Sequence, residues 1–354
     1  MQTKTFKTDF TLESGNSIAH PTIAYSTYGT LNKDKSNVIW VCHALTGNSE
    51  VHDWWSGIFG EGRPLDPAKS FIICANVLGS CYGSTGPLCF DKQGQRLFQD
   101  FPLVTPRDMA KAHELLRKEL NIERIQLLIG ASLGGQQALE WSIEQPTLFE
   151  RCVFIATNAQ HSAYGIAFNE AQRLAIHADP TYAERKLNGG RKGLIAARSI
   201  AMLSYRSYTG YEITQSEDNS EHTEGFKAAS YQRYQGEKLA KRFNAYSYVA
   251  LSKSMDSHNI GRNRKSSASA LKQISAKTLV VGVTSDSLFP ISEQQFLANG
   301  ISGATYTEIT SNFGHDGFLV EFEQLNELLL RFLSDQLISP LPTRLKGVQP
   351  IINN

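Results

Sequence analysis

The sequence Gly130-Ala-Ser132-Leu-Gly134 joins a strand-like apolar run to a helical segment, and this feature constrains the fold most. A serine on a sharp strand-to-helix turn needs glycine two positions away on each side, because a side chain there would collide with neighbouring backbone. In a chain with 27 glycines the pattern could also be an ordinary glycine turn, but the strand before it and the helix after it favour a turn that presents the serine side chain. The pattern therefore predicts a nucleophile elbow with Ser132 as the nucleophile.

Continuous apolar and β-branched runs alternate with helical patterns along the chain. Such runs suit a parallel sheet covered on both faces, and the alternation predicts an α/β fold. The runs span residues 38–42, 71–76, 125–129, 152–157, 278–283 and 305–309, with edge strands expected at 5–12 and 22–28. Thr105 and Pro106 fit the cap and the first position of a helix that ends near Leu120.

The strand signal is interrupted between residues 158 and 274, where the chain is helical, polar and rich in Arg, Tyr and Ser. Because strands resume at Thr278, we expect an inserted helical lid rather than an independent second domain. The predicted organisation is a first part of the core at 1–157, a lid at 158–274, a second part of the core at 275–339 whose last helix spans 321–337, and a C-terminal tail at 340–354.

Charge and cysteine content argue against several functions. With 35 Lys and Arg against 34 Asp and Glu, nothing indicates nucleic-acid or anionic membrane binding. The five cysteines lack Cys-x-x-Cys spacing, which predicts free thiols in a reducing cytoplasm. The polar N-terminus does not have the pattern of a secretory signal, and no run approaches the roughly 20 apolar residues that span a bilayer. No metal site is expected, because His-Glu-x-x-His and Cys/His clusters are lacking.

A serine nucleophile needs a base and a carboxylate, and in this type of sheet the chain order is serine, acid, histidine. Asp286 follows the strand-like run at 278–283, and His315 follows the run at 305–309 in a glycine-flanked loop. The other late histidines, His222 and His258, follow no strand. We therefore predict Asp286 and His315 as the partners of Ser132.

The oxyanion formed on attack needs two backbone N–H donors. Leu133, directly after the nucleophile, supplies the first. The loop His43-Ala-Leu45-Thr-Gly47 follows an early strand, and Leu45 is the predicted second donor. His43 precedes this loop, which favours a structural hydrogen-bonding role over that of a catalytic base.

Several segments together resemble the homoserine O-acetyltransferase family. The motifs that carry the resemblance are His43-Ala-Leu-Thr-Gly47, Trp54-Trp55, the glycine-rich stretch from Asn76 to Pro87, the elbow with Gly134-Gly-Gln136, and Gly314-His-Asp-Gly-Phe-Leu319. The resemblance covers residues 10–333 and extends into the lid, which a generic hydrolase would not share. It implies an α/β-hydrolase fold, with a mostly parallel sheet, helices on both faces and an inserted helical lid.

The resemblance implies transfer of acetyl from acetyl-CoA to L-homoserine through an acyl-enzyme, in methionine biosynthesis, with acetyl-CoA as co-substrate and no cofactor. It also implies that Arg198, Tyr205 and Asp316 hold the amino acid, and that lid helices form a homodimer. The chemistry agrees, because a guanidinium binds a carboxylate in two-pronged fashion and a carboxylate near the base can hold the ammonium.

Five positions depart from the usual family pattern: Ala131, Leu133, Asn244, Tyr246 and Ser287. None removes a catalytic group, but they leave the acyl donor and the acceptor open. A homoserine O-succinyltransferase, a serine O-acyltransferase and a carboxylester hydrolase therefore remain alternatives. A noncatalytic binding protein would need a broken triad, and the predicted triad is complete.

Overall fold

The computed structural model describes residues 1–219, 221 and 223–336 and is built around an eight-stranded sheet. The strands of the described chain are β1 (Gln2–Thr5), β2 (Phe10–Thr11), β3 (Ser17–Ile18), β4 (Thr22–Tyr28), β5 (Val38–Cys42), β6 (Phe71–Ala75), β7 (Ile125–Ala131), β8 (Phe149–Ile155), β9 (Lys277–Val283) and β10 (Thr305–Ile309). The sheet has the order β1-β4-β6-β5-β7-β8-β9-β10, and all pairs from β6 to β10 are parallel. The predicted mostly parallel sheet is confirmed.

The expected single strand at residues 5–12 is wrong. β1 ends at Thr5 and pairs antiparallel with β4, whereas β2 pairs with β3 in a separate hairpin. Lys7, Thr8 and Asp9 are all exposed, so this stretch lacks the alternation of buried and exposed residues that a strand in the sheet requires. The chain turns away from the sheet at this point.

Helices cover both faces of the sheet, which confirms that part of the predicted fold. Along β5, Trp40 belongs to one apolar cluster and Ile39 and Val41 to another, because successive side chains of a strand point to opposite faces. The described helices are α1 (Val51–Trp54), α2 (Pro106–Glu119), α3 (Leu133–Glu144), α4 (Ala163–His177), α5 (Arg191–Tyr205), α6 (Tyr208–Gln215), α7 (Lys227–Ala240), α8 (Ala245–Asp256), α9 (Ser267–Leu271), α10 (Ile291–Gly300), α11 (Gly317–Val320) and α12 (Phe322–Leu333). Helices α2, α3 and α10 contribute to the first cluster, and α1 and α12 to the second.

Helix α2 begins as its sequence predicts. Thr105 accepts a hydrogen bond from the backbone N–H of Asp108, and the Asp108 carboxylate accepts one in return from the Thr105 N–H. Pro106 occupies the first helical position, where its missing N–H costs nothing. This reciprocal cap fixes the start of a helix that lies against α3.

Helices α4 to α9 lie between β8 and β9, in the range predicted for the lid. The chain leaves and re-enters the core through paired backbone, with hydrogen bonds of 3.1 Å from His161 N to His258 O and 2.9 Å from Ile260 N to Ala159 O.

Three predicted features, the tail at 340–354, Leu337 and His222, lie outside the described residues. Within residues 1–219, 221 and 223–336, no helix is both long enough and apolar enough to cross a membrane. All five cysteines are free thiols.

Candidate active site

Ser132 lies between β7 and α3 in a backbone conformation that few residues adopt, with φ of 57° and ψ of −127°. Its N–H donates to Ile155 O at 3.0 Å, and its carbonyl accepts from Gln136 N at 3.1 Å and from Thr157 Oγ1 at 2.9 Å. Strained backbone of this kind persists only where surrounding contacts enforce it, and it is typical of functional sites. The turn therefore has the geometry of a nucleophile elbow.

The two glycines of the elbow lie in close contact with other backbone. A Cβ atom on Gly134 would collide with the carbonyl oxygen of Cys42, at the end of β5, and one on Gly130 would collide with the carbonyl oxygen of Gly134. No side chain fits at either position. The elbow consequently packs directly against the strand that leads into the loop with Leu45.

Asp286 and His315 form a buried pair at the carboxyl ends of β9 and β10. The Nδ1 atom of His315 lies 2.6 Å from Asp286 Oδ2, while Asp286 Oδ1 accepts from the backbone N–H groups of Leu288 and Phe289, each at 2.9 Å. Both side chains are almost fully buried. The carboxylate thus fixes the imidazole with Nδ1 protonated, which leaves Nε2 free to act as a base.

The structure places Ser132 at the same edge of the sheet, since β7 and β9 flank β8 and all three run parallel. Within the described chain no hydrogen bond joins Ser132 Oγ to His315. Catalytic hydrogen bonds of this kind often tighten only when substrate is bound. The assignment of Ser132, Asp286 and His315 as a triad remains a prediction that this geometry supports.

Aromatic rings surround the His315 imidazole. The ring of Phe289 stacks on it at a centroid distance of 4.9 Å, Phe318 approaches edge-on at 5.3 Å, and Tyr205 from α5 lies at 5.9 Å. These contacts restrict the imidazole to one orientation. They also shield it from water, which would compete with an acceptor.

The loop after β5 is shaped by His43. Its Nδ1 lies 2.9 Å from Ala44 O, and its Nε2 accepts from Val77 N at 3.1 Å. Burial lowers the pKa of His43 to about 4, so the ring is neutral and has the structural role that the sequence favoured. In the described residues, neither Leu45 N nor Leu133 N has a hydrogen-bond acceptor, which is what an oxyanion hole requires.

The three residues implied to hold an amino acid lie together beside His315. The Arg198 guanidinium lies over the Tyr205 ring at 5.1 Å, and Asp316 directly follows the imidazole in the chain. Burial raises the pKa of the Asp316 carboxyl above its usual value, and the guanidinium groups of Arg206 and Arg198 offset part of that rise. The cluster therefore offers one carboxylate and two guanidinium groups next to the base.

Sequence reasoning missed two charged residues of this site. Arg206 Nε lies 2.9 Å from Asp316 Oδ2, although its N–H is not aimed at that oxygen. Glu293 lies near Asp286, and burial together with the Asp286 charge raises the pKa of Glu293 to about 7. The adjacency of Arg206 to Tyr205 was a usable signal, whereas nothing in the local sequence distinguishes Glu293 from other helical glutamates.

Comparisons with known proteins show both the fold and the family of this chain. Residues 37–322 match the family model described as alpha/beta hydrolase fold. The chain is 48% identical over 322 residues to the homoserine O-acetyltransferase of Cyclobacterium marinum, covering 91% of this chain and 92% of that protein. The chain belongs to the homoserine O-acetyltransferase family.

Solved structures with lower identity show the fold alone. Homoserine O-acetyltransferase from Bacillus anthracis superposes with a TM-score of 0.87 at 24% identity, covering 96% of this chain and 98% of that one. Esterase E22 reaches 0.84 at 23% identity, covering 94% and 99%. Since a transferase and an esterase share the same architecture, family membership rests on the sequence.

Two departures from the pattern of the homoserine O-acetyltransferase family have structural roles in this chain. Asn244 caps α8 by accepting from Ser247 N at 2.8 Å, and the hydroxyl of the buried Tyr246 lies 3.2 Å from Tyr182 O and 3.1 Å from Lys186 O. Both residues serve packing within the inserted helices. Neither belongs to the side chains around His315 described above.

Proposed function

We propose that this protein transfers the acetyl group of acetyl-CoA to the hydroxyl of L-homoserine through an acetyl-enzyme on Ser132. The observation that carries the proposal is the buried hydrogen bond of 2.6 Å between His315 and Asp286, which prepares a base beside the elbow in a chain of this family. The product, O-acetylhomoserine, would serve methionine biosynthesis. No cofactor is needed beyond acetyl-CoA as co-substrate.

In the first step, Ser132 Oγ attacks the thioester carbonyl carbon and passes its proton to Nε2 of His315. The oxyanion of the tetrahedral intermediate accepts hydrogen bonds from the amides of Leu45 and Leu133. The intermediate collapses as the C–S bond breaks, and the CoA sulfur leaves with the proton from His315. Asp286 stabilises the imidazolium that forms between these events.

In the second step, the homoserine hydroxyl gives its proton to His315 and attacks the acetyl-enzyme. The ester bond to Ser132 breaks, and Ser132 recovers the proton. Arg198 would bind the carboxylate of homoserine and Asp316 its ammonium, with Tyr205 packed between Arg198 and the imidazole. Holding the acceptor in line while excluding water favours transfer over hydrolysis.

We also infer a homodimer formed through the inserted helices. Several large apolar side chains are exposed there, including Leu174 at 59%, Leu203 at 56%, Tyr208 at 81% and Tyr234 at 59%. Apolar side chains that are exposed together on one surface are typical of interaction sites, and the inserted helices carry the surface that we propose for the partner copy. Free thiols at all five cysteines fit a reducing compartment, so we propose that the enzyme acts in the cytoplasm.

Trapping the intermediate tests the proposed function. Purified protein is incubated with acetyl-CoA alone, and intact-mass and peptide spectrometry then locate any added acetyl group. We expect acetylation of Ser132, its loss in Ser132→Ala, and its discharge on addition of homoserine. Unaltered acetylation in Ser132→Ala, or discharge that is equally fast without homoserine, would contradict the proposal.

A further inference from the structure

The side chain of Gln137 joins the two backbone segments that supply the proposed oxyanion donors. Gln137 is fully buried on α3, one turn after Leu133. Its Nε2 donates to Leu133 O at 3.1 Å and to His43 O at 3.1 Å. His43 opens the loop that contains Leu45, so one amide group holds both sides of the oxyanion hole.

The orientation of the Gln137 amide is unambiguous. The two groups facing Nε2 are carbonyls, which only accept hydrogen bonds, so the Gln137 oxygen must face the other way. There Oε1 lies 3.0 Å from Nε2 of His113, which therefore donates. Burial lowers the pKa of His113 to about 4, and a neutral ring with its proton on Nε2 meets this requirement.

The ring of His113 is itself held in place. It packs against Trp40, at a centroid distance of 5.7 Å, and Trp141, at 5.5 Å, and the two indole rings also contact each other at 4.9 Å. A chain of packed and hydrogen-bonded groups thus runs from α2 through Gln137 to both segments. Every polar atom of the Gln137 amide has a partner, so the amide has little freedom to rotate.

We propose that Gln137 is a positioning residue that sets the separation of the Leu45 and Leu133 amides and so preorganises the oxyanion hole. The His43 carbonyl is two residues before Leu45, and the Leu133 carbonyl belongs to the donor residue itself. The Leu133 carbonyl is also held by the backbone of α3, so the bond to the His43 carbonyl is the one that ties the loop of Leu45 to the helix, and its loss would let the two donors drift apart. Misplaced donors stabilise the transition state less while leaving the planar substrate bound almost as well. This inference rests on the proposed acyl transfer.

The test compares Gln137→Met with Gln136→Met. Methionine keeps the length and volume of glutamine but removes the amide donors. Gln136 is equally buried at the preceding position of α3, yet its amide donates to Asn158 Oδ1 at 3.0 Å and to neither segment of the oxyanion hole. Both variants lose a buried amide, so differences between them report the position of Gln137.

The readout is the affinity for a tetrahedral mimic relative to a ground-state ligand. Ser132 adds to the carbonyl of a trifluoromethyl ketone analogue of acetyl-CoA, and the resulting tetrahedral adduct places an oxyanion in the hole. CoA binds without forming such an adduct. For Gln137→Met we expect kcat and the affinity for the ketone to fall together by about 100-fold, with unchanged Kd for CoA and KM for homoserine. Gln136→Met should affect the two ligands equally.

The proposal would be overturned if Gln137→Met lost ketone and CoA affinity equally, or if the ratio of ketone affinity to CoA affinity stayed at its wild-type value. If Gln137→Met does not fold, His113→Phe is measured instead. It keeps a ring packed against the two tryptophans but frees the Gln137 amide. The same selective loss of ketone affinity is expected at smaller size, and an unchanged ratio of ketone to CoA affinity would again contradict the proposal. Acetylation of wild-type Ser132 tests the proposed function separately, so the two failures are distinguishable.

Discussion

The Asp286 carboxylate holds the His315 imidazole with one oxygen and is itself held through the other by two backbone N–H groups. In Asp286→Asn the amide oxygen would remain with those backbone donors, so the NH₂ group would face Nδ1 and force the wrong imidazole tautomer. We expect kcat to fall roughly 10³- to 10⁴-fold with a small change in KM. Steady-state kinetics check this, and a loss smaller than tenfold would remove Asp286 from the triad.

Arg198→Ala should impair use of homoserine and spare acetylation. The guanidinium faces the Tyr205 ring, and loss of a charge-assisted contact to the substrate carboxylate should raise KM for homoserine about 10- to 100-fold. The rate of Ser132 acetylation by acetyl-CoA should not change. Arg191→Ala is the control, because Arg191 lies on the same helix but pairs with Glu237 at the surface. Normal homoserine saturation with weakened use of acetyl-CoA would show the role to be wrong.

Arg206→Met should make homoserine use more sensitive to acid. The Arg206 guanidinium lowers the pKa of the buried Asp316 carboxyl, so its removal raises that pKa further. A protonated Asp316 cannot balance the ammonium of the substrate. We therefore expect kcat/KM for homoserine to decline at a higher pH in the variant than in the wild type. Superimposable pH profiles would mean that Arg206 does not act through Asp316.

Thr157→Val should disturb the elbow, whereas Thr157→Ser should not. Thr157 is fully buried and its hydroxyl donates to the carbonyl of the strained Ser132 at 2.9 Å. Valine keeps the shape but leaves that carbonyl with one partner fewer, at a cost of about 1–2 kcal/mol in the free energy of unfolding. Acetylation of Ser132 should also slow. Denaturant unfolding and burst kinetics measure both effects, and equal behaviour of the two variants would assign the role to the threonine methyl group.

Four buried neutral histidines should make the fold sensitive to mild acid. Burial lowers the pKa of His43, His113 and His161 from 6.5 to about 4, and of His258 to about 3. Between these values and about pH 6.5 the unfolded chain binds more protons than the folded one, so the free energy of unfolding decreases as the pH falls. Each ring with a pKa of about 4 contributes up to roughly 3 kcal/mol, and His258 up to roughly 5 kcal/mol. Denaturant titrations at pH 7.5, 6 and 5 check the slope, and constant stability would contradict it.

Local patterns in the sequence predicted much of the fold. The bounds of β5 and β10 coincide with the predicted runs, and the elbow, Asp286 and His315 lie at the strand ends that the chain order indicated. These features depend on residues that are close in sequence. The predicted strand at 5–12 failed because three exposed polar residues interrupt it.

Long-range partners were not predictable in the same way. Gln137 bonds to His43 across 94 residues, and Arg206 meets Asp316 through the contact of α5 with the loop after β10. Nothing near either residue in the sequence reveals its partner. Such contacts follow only from the packing of elements that the sequence pattern leaves unoriented.

Release of the CoA thiol tests the central claim most directly. Purified protein is given acetyl-CoA or succinyl-CoA, each with homoserine, with serine or with no acceptor. The proposed function predicts sustained, multiple-turnover release only from acetyl-CoA with homoserine, and at most one equivalent of CoA per enzyme from acetyl-CoA alone. Preference for succinyl-CoA or serine would keep the mechanism and change the specificity, whereas equal release from acetyl-CoA with and without an acceptor would contradict the transferase and identify a hydrolase.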